Sequence, residues 1–142
     1  MCISARFTPA ALALLTTVSF TPLARATDLN GAWAQDSSVC SQVFVKRDNK
    51  ILFMPNAELY GAGVLIEGKQ ATGSFQKCQI KSTRTDGNIL HLVATCSTGV
   101  MVSDTHFRVK IIDDDNITLA LAGPDQLAGP IQMESPLVRC SM

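Results

Sequence analysis

The sequence predicts an all-β domain: an antiparallel meander of roughly eight to ten strands, forming a small barrel or sandwich held by two disulfides. Three observations carry this prediction. Apolar and polar side chains alternate from residue 42 onward, the period of a strand with one buried face. Turn residues interrupt the alternation about every eight to twelve positions, the spacing of short strands in sandwiches and barrels. Four cysteines remain once an N-terminal leader is set aside, an even number in a small exported chain.

The leader comes first in the chain. Arg6 supplies a positive start, "PAALALLTTVSF" an apolar core, and "ARA" (Ala24 to Ala26) a small-x-small cleavage site, so residues 1–26 read as a signal peptide. The apolar run is about a dozen residues, too short to span a bilayer, and no later stretch of the chain approaches a membrane span. Cys2 precedes the apolar core and so cannot be a lipid anchor placed just after cleavage. Residues 27–142 then form one β domain, in the periplasm or secreted. Removal of Arg6 and Arg25 turns an even charge balance into a slight acidic excess, with no basic block. That composition argues against a nucleic-acid partner and against a polybasic membrane patch.

The mature part opens on "LNGAWAQDSSVC". Here Trp33 is expected as a core plug and Gly31 as the bend that turns it inward. "QVFVKR" and "KILFM" then flank Asp48-Asn49, a good two-residue hairpin turn. "PNAELYG" predicts a single helical turn before Gly61, and helix signals are otherwise nearly absent. Three more hairpins follow, around Gly68, around "TDGN" (85–88) and around "DDDN" (113–116). The Gly- and Pro-rich stretch from Ala122 to Pro136 reads as a long loop, a lid or packing segment exposing Leu127, Ile131 and Met133, before a last strand "LVRC".

One hairpin fixes a disulfide. If Asp86-Gly87-Asn88 is a three-residue loop, Cys78 stands opposite Cys96, Ile80 opposite Ala94 and Ser82 opposite Leu92 on a mainly apolar face. The favoured pairs are therefore Cys78–Cys96 and, by remainder, Cys40–Cys140. A two-residue Asp-Gly turn weakens that register and makes Cys40–Cys78 with Cys96–Cys140 the competing connectivity. A zinc site is disfavoured, since no cysteine pair has metal-binding spacing and neither histidine lies near one.

Catalytic signals are sparse. His91 and His106 fall on outward strand faces and read as solvated residues, with no orienting partner or nucleophile in reach. The chain has no G-x-S-x-G elbow and no H-E-x-x-H motif. Asp113-Asp114-Asp115-Asn116 lacks the spacing of a calcium loop and suits a hairpin tip. Gly61-Ala62-Gly63 lacks the strand–loop–helix setting of a phosphate loop and reads as a backbone bend. No metal or cofactor is expected.

The Gly31-x-Trp33 start, Cys40, the meander carrying Cys78 and Cys96, and the terminal Cys140 together resemble a group of small exported, periplasmic proteins of alphaproteobacteria. The resemblance covers most of the mature chain and implies fold and location, not a chemistry. The Gly-x-Trp start is also similar to that of lipocalins, whose Trp closes one barrel end. This chain is shorter than they are and has no Thr-Asp-Tyr motif or C-terminal helix. The functional expectation is a non-catalytic binding module for a small apolar ligand or a protein partner. The alternative is an inhibitor of an exogenous hydrolase, a lysozyme or protease. Alternation says which side chains face inward but not whether they fill the space, and a hollow interior is what a ligand binder requires.

Overall fold

Eight strands close on themselves in the order β1-β10-β9-β8-β7-β6-β5-β4, and a separate two-stranded sheet, β2-β3, lies outside that ring. The computed structural model describes residues 27–122 and 134–142. The leader and the Leu127, Ile131 and Met133 segment lie outside the described residues. The strands are β1 (Gly31–Ala34), β2 (Phe44–Arg47), β3 (Lys50–Phe53), β4 (Gly63–Glu67) and β5 (Gln70–Gly73). They continue as β6 (Lys77–Asp86), β7 (Ile89–Ser97), β8 (Val102–Ile111), β9 (Asn116–Leu121) and β10 (Ser135–Arg139). All the pairings are antiparallel.

The turn chemistry explains the hairpins. Asp48 and Asn49 both take positive φ, 47° and 61°, as a two-residue turn matched to strand twist demands. Gly68 at 61° and Gly87 at 59° do the same for β4–β5 and β6–β7. The expected antiparallel meander closes as a barrel, and the β2–β3 hairpin stands apart from it. The hairpin pairs with itself alone, because alternation specifies a buried face and not the sheet that a strand joins. Its first strand also starts later than expected: Gln42 and Val43 belong to a short helix, α1 (Cys40–Val43), after a 3₁₀ turn at Ser37–Val39. Asp36 caps that turn, its carboxylate accepting from the Ser38 N–H at 2.7 Å. The expected turn before Gly61 is present as 3₁₀ over Ala57–Tyr60.

Both disulfides are formed, Cys40–Cys140 and Cys78–Cys96. Cys78 does face Cys96 and Ile80 faces Ala94. The turn, however, contains two residues, Gly87-Asn88, and pairs Asp86 with Ile89. An irregularity between Ile80 and Ser82 restores the register at the cysteines. Beyond it, Ser82 pairs with Val93, and Thr83 rather than Ser82 faces Leu92.

The ring closes at its narrowest seam. β1 meets β10 at only two pairs, Trp33 with Arg139 and Ala34 with Val138. Cys140 N–H adds a bond to the Ala32 carbonyl at 2.8 Å. Cys40–Cys140 links the chain just after β1 to the chain just after β10, so the longer disulfide staples this seam.

Buried hydrophobic clusters lie on both sides of the β1–β4 wall. Ala32, Ala34 and Leu65 point out of the barrel and pack with Val43, Phe44, Ala57 and Cys140 beneath the hairpin. Phe44 and Phe53 meet there with ring centroids 4.9 Å apart. Gly63 allows the approach: a Cβ there would lie 2.7 Å from Val43 Cγ1 and 2.9 Å from Phe44 Cζ. The Gly61-Ala62-Gly63 stretch is thus a bend, Gly61 at φ 107°, and a close backbone contact. Trp33, Ile66, Leu92, Val109, Ile117 and Leu137 point the other way, into the barrel.

Candidate functional site

The inward positions do not fill the barrel. Trp33 is fully buried, while Ile80, Phe107 and Leu119 point inward and yet remain half-exposed. A row of small side chains crosses this part of the sheet. Ala71, Cys78, Cys96 and Ser103 are successive partners across β5, β6, β7 and β8. Of these, Ala71 and Cys78 line the open space, together with Gly73 and Ala94. The space left is a chamber of about 650 Å³, within the size range of small-molecule sites. Its wall is made by Val64, Ile66, Ile80, Leu92, Phe107 and Val109, together with Ile117, Leu119 and Leu137. Among the described residues no polar or charged side chain is buried.

Gln35, Glu58, Ser74, Phe75 and Gln76 line the chamber at the end where β1 and β5 finish and β4 and β6 begin. Apolar side chains are exposed around this mouth. Phe75 and Leu59 are each 76% accessible, and Val100 and Met101 in the β7–β8 turn are 95% and 61% accessible. The opposite end holds a second cavity of about 920 Å³, of different character. Thr83, Thr85, Ser82, Asn88, Asn30 and Lys69 contribute to its lining, and it shares Ile66, Ile80 and Leu92 with the chamber.

Arg139 organises that opposite end. It stands across from Trp33, with its guanidinium 4.3 Å from the ring centre. It donates to the carbonyls of Asn30, Asp28 (2.7 Å) and Asp114 (3.0 Å), and lies 3.5 Å from the Asp115 carboxylate. Trp33 donates through Nε1 to the Leu29 carbonyl at 2.9 Å. One side chain thereby ties the N-terminal segment, the β8–β9 turn and the plug together. Sequence reasoning missed it. The available signal was a lone basic residue at an inward position of the last strand, two residues beyond the buried Leu137.

The other candidates separate from the chamber. His91 lies outward between Arg84 and Arg108, and His106 lies outward opposite Val93. The Asp113 carboxylate accepts from Asn116 Nδ2 at 2.8 Å and from the Asp115 N–H at 2.9 Å, so it is engaged in its own turn. These bonds hold the Asp113 carboxyl below its ordinary 3.8, the Asn116 bond contributing most. No group of three or more His, Cys, Asp or Glu side chains is placed to hold a metal ion among the described residues. No helix among them is long and apolar enough to cross a membrane. Of the four cysteines, Cys78 lines the chamber and Cys40 belongs to the seam.

Comparison with models of known protein families, with curated proteins and with solved structures finds no match. The molecule is a disulfide-bonded, eight-stranded antiparallel barrel, and its two bridges suit an oxidising, extracytoplasmic compartment.

Proposed function

We propose that this protein is a non-catalytic binding module, exported to the periplasm or beyond, that holds a small apolar molecule inside its barrel. The observation that carries this reading is the chamber itself: about 650 Å³ of space walled by aliphatic side chains and Phe107. A barrel evolved only for stability gains from filling such a space, since each unfilled methylene-sized gap forgoes packing contacts. Native mass spectrometry of protein purified from the periplasm tests the reading directly. A mass excess that organic extraction removes, and that a neutral fluorescent probe such as N-phenyl-1-naphthylamine replaces, supports it. A chain that carries nothing and takes up no probe sinks it.

The hydrolase-inhibitor reading has one observation in its favour. The exposed Phe75 and Val100 sit on turns at one end of a stapled scaffold, a form suited to entering a cleft. An excess of the protein reducing the activity of lysozyme or trypsin supports that reading, and unaltered activity of both removes its named targets.

A further inference from the structure

The chamber's electrostatics restrict what it can hold, an inference that rests on the binding reading above. A carboxylate carried into an apolar cavity loses its hydration and binds only if a cation or several hydrogen-bond donors replace the water. The chamber's lining offers no cation, and its donor side chains, Gln35, Ser74 and Gln76, stand at the mouth and not along the apolar wall. None of its lining residues is Lys, Arg or His, and the one charged residue, Glu58, is acidic and sits at the mouth. The turns rimming that mouth, Ser74-Phe75-Gln76 and Thr98-Gly99-Val100-Met101, carry no charge. Arg139 lines neither cavity and is engaged at the far end by Trp33 and three backbone carbonyls, and the lysines that line a cavity among the described residues, Lys69 and Lys81, belong to the far one and not to the chamber. From this distribution we propose that the chamber selects apolar molecules with a neutral or cationic head group and excludes those with a carboxylate. The neutral glutamines, Gln35 and Gln76, can hydrogen-bond a hydroxyl or amide at the mouth, and Glu58 can pair with an amine. A volume of about 650 Å³ equals roughly twenty water molecules at ~30 Å³ each, enough for an aliphatic molecule of about a dozen heavy atoms.

A matched series tests the selectivity: decan-1-ol, decylamine and decanoate, below their micelle concentrations, displacing N-phenyl-1-naphthylamine from the full mature protein at neutral pH. The alcohol and the amine are expected to displace the probe, with decanoate at least about tenfold weaker. Decanoate matching or exceeding the alcohol overturns the inference and leaves the binding reading standing. Probe uptake without displacement by any of the three likewise overturns the inference alone. Absence of probe uptake overturns the binding reading, and the inference with it. Glu58→Lys supplies the second arm. Because Glu58 is exposed, the variant is expected to fold, and its circular dichroism and thermal melt check that it does. In it the gap between amine and carboxylate narrows by at least about threefold. An unchanged gap overturns the assignment of selectivity to the mouth.

Discussion

The two sides of the β1–β4 wall are built from similar side chains with opposite results. Outside the barrel, Val43, Phe44 and Ala57 close over Ala32, Ala34 and Leu65 until nothing in that cluster is more than slightly exposed. Inside, Ile66, Leu92 and Val109 line a wall with room in front of it. The difference is one of partners. The outer face receives the β2–β3 hairpin as a separate layer, whereas the inner face meets only the far side of its own ring, across a row of small residues. The fold thus places its dense packing beside the open chamber rather than within it. A filled outer core can hold the seam rigid while the interior stays open.

The largest expected effect breaks the outer side. Replacing Cys40 and Cys140 together with Ser opens a loop of 100 residues, and the chain-entropy estimate gives a loss of about 4.7 kcal/mol. The corresponding change at Cys78 and Cys96, which span 18 residues, removes about 3 kcal/mol. Urea denaturation of both double variants checks the ranking, and equal losses contradict the role given to the seam. Phe44→Ala is next. It empties a sealed site and is expected to cost about 3–5 kcal/mol. Phe107→Ala removes a ring that already borders open space, and is expected to cost no more than about 1.5 kcal/mol while changing probe affinity.

A single substitution made on each side gives opposite signs. Ala34→Leu adds volume where there is none and destabilises by about 1–3 kcal/mol, with probe binding retained. Ala71→Leu projects into the chamber, stabilises by about 0.5–1 kcal/mol, and reduces probe binding. Thermal melts and one titration on each variant decide the matter. If Ala71→Leu destabilises as much as Ala34→Leu, the chamber is not free space.

Much of this was legible in sequence, and the failures have physical causes. Asp48-Asn49 announced its hairpin because few residue pairs tolerate two positive φ values. The Cys78–Cys96 pairing was reached through a turn one residue too long, and an unforeseen irregularity near Lys81 cancelled the error. That irregularity was invisible because Lys81, Ser82, Thr83 and Arg84 contain no apolar side chain to fix a face. The consequence is local: Thr83 and Thr85 face inward and make the far cavity polar. The hollow interior was not legible either. It has Ala71, Gly73, Cys78 and Ala94 meeting in one lining, a fact of register across three strands and not of any one strand. Arg139 escaped notice for the same reason, since its meaning lies in the Trp33 opposite it.

The smallest expected effects come from acid, and they sharpen the same comparison. Asp36 caps the turn leading into the filled side, and Asp113 folds the β8–β9 turn at the far end of the barrel. Hydrogen bonds from Ser38, and from Asn116 with the Asp115 amide, hold the two carboxyls below their ordinary 3.8. A carboxyl with a depressed pKa in the folded state stabilises fully above its unfolded value, and that contribution is lost as pH falls through the folded one. Asp36→Ala and Asp113→Ala are therefore expected to lower the urea midpoint slightly near neutrality, with the difference from the unsubstituted protein shrinking below about pH 4. Both side chains are fully exposed, so each effect is small. A difference that persists undiminished in acid shows that the charged form is not what stabilises the turn. Neither residue lines the chamber, so probe affinity is expected to stay constant in both variants. If Asp36→Ala alone weakens it, packing outside the wall sets the shape of the space within.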